Sequence, residues 1–285
     1  MAQRNLVIQT PGLSSQIIEQ AAAMAEAQGV VRLGTSAARL LSVADDTAIC
    51  QEIRTWGEQN LIDTAFVPAG SRLADCKVLA MDMDSTLINI ECIDEIAALG
   101  GVKEQVASIT EAAMRGEIKD FAESLTRRVA FLRGLSTDAL QAVYEQKLQL
   151  NPGAERLVQT ARQAGLHVLL VSGGFTYFTA RLKARLQLDE VHANVLEETD
   201  GVLTGRVQGR ILDAQGKADA LAAFAAAHGA REDQIIAIGD GANDLRMLAK
   251  AGYSVAYRAK PVVRAQARYA LNVMGLDAIL NWFEA

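Results

Sequence analysis

Along the 285 residues the spacing of apolar and polar positions changes character once, near residue 70. Before that point short strand-like runs alternate with helical ones. The pattern predicts a strand at Leu6–Gln9, an amphipathic helix over Ser14–Gln28, a strand at Arg39–Val43, a helix over Thr47–Gly57 and a strand at Leu61–Val67. Pro68-Ala69-Gly70-Ser71 then reads as a linker. The expectation is a small α+β domain over residues 1–72.

From Lys77 onward continuous apolar runs take over: KVLAMD, HVLLVSGG, QIIAIGDG, YSVAY and ARYALNV, with helical stretches between them. Runs of this length suit strands buried on both faces, so residues 73–285 predict an α/β domain with a Rossmann-like parallel sheet. Residues 91–150 have helical periodicity and no strand-like run, which predicts a helical cap inserted after the first strand. Val195–Leu212, with Asp200-Gly201 as its turn, predicts a small hairpin, and the alanine-rich Ala220–Ala227 a helix.

Composition narrows the classes. Half of the residues are hydrophobic, enough for a well-buried core, and no segment approaches the roughly 18 continuous apolar residues of a spanning helix. The first residues lack a basic stretch followed by an apolar one, so a cytoplasmic enzyme without membrane contact is expected. A net charge of −6 argues against nucleic acid as a partner, since binding a phosphate backbone needs a basic face. Cys50, Cys76 and Cys92 show no paired spacing, and His167, His192 and His228 no ligand spacing; buried thiols and structural or surface histidines are expected.

Three of the apolar runs end in polar residues: Asp82-Met83-Asp84-Ser85-Thr86, Ser172-Gly173-Gly174, and Gly239-Asp240-Gly241-Ala242-Asn243-Asp244. In a parallel sheet the carboxyl ends of the strands share one edge, where ligands bind. Two carboxylates two positions apart, Asp82 and Asp84, can divide nucleophilic and acid–base work, although a lone D-x-D is more often a turn or cap. Asp240 adds a hard oxygen ligand suited to Mg²⁺ shared with Asp82; Asp244 reads equally as a ligand or as a support for one. Ser172 and Gly173 offer a hydroxyl and backbone N–H groups to a phosphate, against the plainer reading of a strand-to-helix turn. Lys217 sits at a predicted helix start, where a cation opposes the helix dipole; a surface role is the commoner one for a single lysine, and only the company of the other residues points to use against a phosphoryl group. The GDGAND run lacks the third glycine of a dinucleotide fingerprint, and Gly216-Lys217 lacks the rest of a P-loop.

On DMDSTLINIECIDEIA, SGGF, the lysine of DAQGKA and GDGANDLRML, in that order, the chain resembles the phosphoserine phosphatases of the haloacid-dehalogenase superfamily over about residues 75–280. The resemblance implies an HAD-like fold and hydrolysis of phosphoserine through an aspartyl-phosphate intermediate, the last step of serine biosynthesis. It implies Asp82 as nucleophile, Asp84 as general acid/base, and Mg²⁺ held by Asp82, the backbone carbonyl of Asp84 and Asp240. Phosphate contacts from Ser172, Gly173, Lys217 and Asn243 follow, with Glu91 and Arg128 of the cap matching the residues that hold the substrate's ammonium and carboxylate; Arg127 is a neighbouring rival. Met114 and Phe121 are apolar candidates to cover the site, but their spacing departs from the family pattern by one residue. The first 70 residues are similar in outline to ACT-like domains, which can bind amino acids. A phosphotransferase of the same fold, acting on a hydroxyl such as homoserine's, and a non-catalytic amino-acid sensor are the alternatives. A homodimer is compatible with all three.

Overall fold

The computed structural model describes residues 3–114, 117–118 and 120–284. The first sheet is built from β1 (Arg4–Gln9), α1 (Ser15–Met24), β2 (Gly29–Arg32), β3 (Ala37–Leu41), α2 (Thr47–Gln59) and β4 (Asp63–Pro68). Its order is β2-β3-β1-β4, antiparallel throughout. Ser14 and Asp46 cap the two helices, their side chains accepting the N–H of Ile17 and of Ala48 and Ile49. The helix predicted to run to Gln28 stops at Met24, because Glu26 takes a positive φ of 50°. β2 was not foreseen; Val30, Val31 and Arg32 are all exposed, so no alternation marks it.

β1 is buried from Asn5 to Gln9 because it has two neighbours. Leu6 and Ile8 pack with Ile18, Leu40, Ile53 and Phe66 under the two helices. Val7, on the opposite face with Ala65 and Val67, joins the core of the second sheet. Polar groups complete this junction. The Asp63 carboxylate accepts the backbone N–H of Asn272, Val273 and Met274 at 2.7–3.1 Å, and Arg39 donates to the carbonyls of Asn281 and Phe283.

The second sheet opens with β5 (Val78–Met81), and α3 (Cys92–Leu99), α4 (Lys103–Met114), α5 (Phe121–Ala130) and α6 (Asp138–Gln146) form the inserted cap. Then come α7 (Ala154–Gln163), β6 (His167–Phe175), α8 (Thr176–Leu186), β7 (Glu190–Thr199), β8 (Val202–Gln208), α9 (Ala214–Ala227), β9 (Ile235–Gly239), α10 (Leu245–Leu248), β10 (Tyr253–Tyr257), α11 (Pro261–Arg264) and β11 (Tyr269–Leu271). The order is β11-β10-β9-β5-β6-β7-β8, parallel except for β8. Side chains of β5 and β9 alternate between two cores: Leu79, Met81, Ile236 and Ile238 on one face, Val78, Ala80, Ile235 and Ala237 on the other. That double burial explains the unbroken apolar runs.

The predicted hairpin is longer than its sequence signal. Glu190–His192 of β7 first pairs with β6 in parallel, and only Val195–Thr199 turns back on β8 through Asp200 and Gly201, both at positive φ. This hairpin abuts the cap: the N–H of Gly134 bonds the carbonyl of Leu203, and a Cβ on Gly205 would lie 2.8 Å from Cβ of Arg133. Strand order reverses at β5, which has β6 on one side and β9 on the other, so a crevice opens at their carboxyl ends.

Candidate active site

At the end of β5 the N–H of Asp82 still bonds the carbonyl of Ile238 at 3.0 Å, continuing the ladder. The chain then turns sharply over Met83–Leu87, with Ser85 at φ 55°. Asn151, just before α7, holds this loop from the far end of the cap insertion. Its side-chain amide donates to the carbonyls of Thr86 and Ile88 at 2.8 and 2.9 Å, and its backbone N–H to that of Leu87. Loop shape therefore depends on a residue 60 or more positions away.

α9 begins at its cap Asp213 and places Lys217 in the first turn, 1% exposed. Its ammonium donates to Asp82 Oδ1 at 2.6 Å and to Asp244 Oδ1 at 2.7 Å. The other Asp244 oxygen accepts the N–H of Asp240 and Gly241, so one of its oxygens is engaged by Lys217 and the other by the loop after β9. A Cβ on Gly239 would lie 2.5 Å from that carboxylate, which is why the strand ends in glycine. Among the described residues the Asp240 carboxylate accepts only the Thr86 hydroxyl, at 3.2 Å.

One oxygen each from Asp82, Asp240 and Asp244 lie within 4.8 Å of one another. Burial, then Asp244, raises the Asp82 pKa well above the ordinary carboxylate range, against the pull of Lys217. Asp240 is pushed up to about 6, by burial first and Asp244 second. For Lys217 burial opposes the charge, but the carboxylates of Asp244 and Asp82 outweigh it and hold the ammonium above its usual range. Three carboxylates thus face one ammonium, an excess of negative charge that a divalent cation would relieve. The donors are hard oxygens of the kind Mg²⁺ takes, so the residues fit a metal.

Asp84 is fixed from two sides. Its Oδ1 accepts the N–H of Cys92 at the start of α3, and its Oδ2 accepts the Ser172 hydroxyl at 3.3 Å. Burial raises its pKa and the Cys92 bond counters this. Ser172 Oγ also accepts the N–H of Gly174, while the Gly173 carbonyl is held by the Asn194 amide, whose oxygen takes the N–H of Leu212. A Cβ on Gly174 would lie 2.5 Å from Asp84 Oδ2, which hydrogen bonds hold in place, so glycine is required there by space; one on Gly173 would lie 2.8 Å from the tip of the Phe121 ring.

The cap supplies Glu91, which stands at the start of α3 without capping it and accepts the Ser85 hydroxyl at 2.7 Å. Burial first, and Asp84 second, push its pKa up to about 7. Arg128 on α5 is half-buried, and its Nε is shielded from solvent with no acceptor among the described residues. Burial lowers its pKa, with Asp94, Glu91 and Asp84 acting in the other direction. Arg127 is exposed and paired with Glu123, turned away from this group. Phe121 stands over Gly173, whereas the Met114 side chain lies outside the described residues. Asn243 is half-buried, its amide oxygen folded over Gly241. The histidines stay apart from the crevice residues: His167 stacks on His228 and His192 bonds Glu190. Asn151, Asn194 and Thr86 were not singled out from sequence; they act on backbone carbonyls or through one hydroxyl, and nothing in their spacing marks them.

Comparison with known proteins matches residues 79–249 to the haloacid dehalogenase-like hydrolases and residues 6–49 to a domain of unknown function. A phosphoserine phosphatase of Polaromonas is 56% identical over 214 residues, covering 74% of this chain and 91% of that protein. A haloacid dehalogenase family hydrolase from Salmonella enterica superposes with a TM-score of 0.90 at 32% identity, covering 99% of both chains. A probable phosphoserine phosphatase from Vibrio cholerae gives 0.82 at 37% identity, covering 98% of this chain and 86% of its own. The chain therefore belongs to the haloacid dehalogenase-like hydrolases and, among them, to the phosphoserine phosphatase family.

Proposed function

We propose that the chain hydrolyses O-phospho-L-serine to L-serine and phosphate with Asp82 as the nucleophile. The observation that carries this is the buried Lys217 ammonium bonded to Asp82 where three strand ends meet. It holds a carboxylate oxygen in place and offers positive charge to an incoming phosphoryl group. A carboxylate of Asp82 attacks phosphorus as the bond to the seryl oxygen breaks, and Asp84 gives that oxygen a proton. Asp84, now ionised, takes a proton from water, whose oxygen bonds phosphorus as the Asp82 oxygen departs. Ser172, Gly173, Lys217 and Asn243 hold the phosphate during both steps. Mg²⁺ held by Asp82, the Asp84 carbonyl and Asp240 would offset the repulsion between anionic nucleophile and anionic substrate. With both oxygens engaged, Asp244 supports this set without serving as a direct ligand.

Glu91 and Arg128 complement the ammonium and carboxylate of the substrate. A guanidinium fork suits a carboxylate better than an ammonium does. Arg128→Lys is accordingly expected to raise KM for phosphoserine about tenfold or more while Arg127→Lys leaves it unchanged, as measured by steady-state phosphate release. Glu91, raised to about 7, is protonated below that pH and loses its attraction for the ammonium. kcat/KM should therefore fall as pH drops through about 7, and Glu91→Gln should lose that limb; an identical acid limb in the variant would contradict the assignment.

The domain boundary fits at 72/73, with an ACT-like unit before it and the HAD-like catalytic domain, capped over about 91–150, after it; the first sheet ends at Pro68 and the second begins at Val78. Among the described residues no helix is long and apolar enough to cross a membrane, in keeping with a cytoplasmic enzyme, and a homodimer is compatible with the exposed edge strand β2. The test of function is phosphate release from phosphoserine in Mg²⁺, lost on chelation, with homoserine present as a rival acceptor. Release of free phosphate at the same yield with and without homoserine supports hydrolysis, and phosphorylated homoserine would overturn it.

A further inference from the structure

Between the four-stranded sheet and the last strand of the large sheet lies a cavity of about 180 Å³, several times the ~30 Å³ share of one water. α2 and β4 form one wall and the segment from Arg264 to Val273 the other, so each unit contributes half. Its charged lining comprises Arg54, Glu58, Asp63, Arg264 and Arg268. Two of these are committed elsewhere: Asp63 to the N–H groups of Asn272, Val273 and Met274, and Arg268 to Glu232 and the Gly252 carbonyl. The side chains of Arg54, Arg264 and Glu58 make no hydrogen bond or ion pair among the described residues.

Arg264 is the informative member. Its Nε is shielded from water and has no acceptor among the described residues. A buried donor left unmade is costly, and more so when it belongs to a cation. Among the described residues three arginines share this feature. Arg39 satisfies its outer nitrogens on two carbonyls. Arg128 faces the crevice assigned to the substrate carboxylate. Arg264 has neither, only the cavity. Two uncommitted guanidiniums therefore face a water-sized or larger space against one uncommitted carboxylate, Glu58, which is exposed on the outer side of α2. Guanidiniums in such a place bind oxyanions through paired N–H donors.

We propose that this cavity binds a small oxyanion, a carboxylate or phosphate group of a soluble metabolite, through Arg264 and Arg54. Because its two walls belong to different sheets, such a ligand ties the N-terminal unit to the catalytic one and stabilises the docked arrangement. This site is separate from the crevice that holds Asp82 and does not depend on the activity assigned there.

Citrate and inorganic phosphate serve as the probes, one a carboxylate and the other a phosphate source. Each is titrated by calorimetry into the full chain in Mg²⁺-free buffer, with Asp82→Asn as a second host in which phosphate binding at the crevice can be recognised. At least one probe is expected to bind both hosts, to raise the melting temperature, and to bind Arg264→Gln at least tenfold more weakly, while phosphoserine hydrolysis by Arg264→Gln stays within about twofold of the parent. Arg54→Gln, altered at an exposed helix position, carries the same test if Arg264→Gln does not fold. Absence of binding by both probes, or equal binding by the parent and the arginine variants, would overturn the proposal. Hydrolysis is read independently, so failure of this site leaves the catalytic assignment standing and failure of hydrolysis leaves this one standing.

Discussion

Asp82→Asn is expected to lower kcat for phosphoserine by at least about four orders of magnitude, the scale on which loss of a covalent nucleophile is felt. The amide is nearly isosteric with the carboxylate, and its oxygen can still accept from Lys217, so the loop after β5 keeps its shape. What is lost is the charge proposed to attack phosphorus. The same substitution removes one of the carboxylates that crowd Asp240 and Asp244, so the folded protein should be no less stable in Mg²⁺-free buffer. Stability and turnover thus move independently, which separates a chemical role from a structural one. A variant that retains more than about one per cent of the parent's kcat would mean that another group attacks.

Lys217→Met is expected to damage both properties. Lys217 is 1% exposed and Asp244 is fully buried, so removing the ammonium leaves the carboxylates of Asp82 and Asp244 together without a counter-charge. Breaking a buried pair from one side costs about 3–5 kcal/mol. Urea unfolding without Mg²⁺ should show that loss, and added Mg²⁺ should recover much of it if the acidic set binds a cation. Turnover should remain about 10²–10³-fold down even with saturating Mg²⁺, because the donor proposed to meet the phosphoryl oxygens has gone. Recovery of both stability and turnover by Mg²⁺ would limit Lys217 to a structural role.

How far such effects could be read in advance depended on what each residue does. The apolar runs of β5 and β9 were legible because both faces are buried, and the polar residues that end them had to converge once the sheet was parallel. Asp82, Asp84, Ser172, Lys217 and Asp240 come together here on that basis, joined by hydrogen bonds across β5, β6, α9 and the loop after β9. Helix phase was less accessible. Arg127 and Arg128 are one residue apart and differ only in which way α5 turns them, which the sequence pattern left open and packing decides.

Other features left no periodic trace. β2 exposes three of its four residues, and the first half of β7 is a mixed Glu-Val-His-Ala-Asn run with partly buried positions, so neither resembles the buried strands. Asp244 read equally as a metal ligand or a support; its pairing with Lys217 and with two backbone N–H groups depends on α9 meeting the loop after β9. Phe121 was set aside on spacing, yet its ring stands over Gly173. The clamps Asn151 and Asn194 satisfy backbone groups of segments distant in sequence, a task with no signature at the level of residue type.

Every step assigned to this crevice requires a phosphoryl group to rest on Asp82 between substrate and water. Rapid acid quenching during turnover of phosphoserine in Mg²⁺, followed by mass spectrometry of the peptide containing residues 82–84, reads that directly. An acid-stable, base-labile phosphoryl group on Asp82, absent in Asp82→Asn, is the expected result. Active turnover with no phosphorylated peptide at any quench time, and solvent oxygen delivered to phosphate by a single inverting displacement, would contradict it.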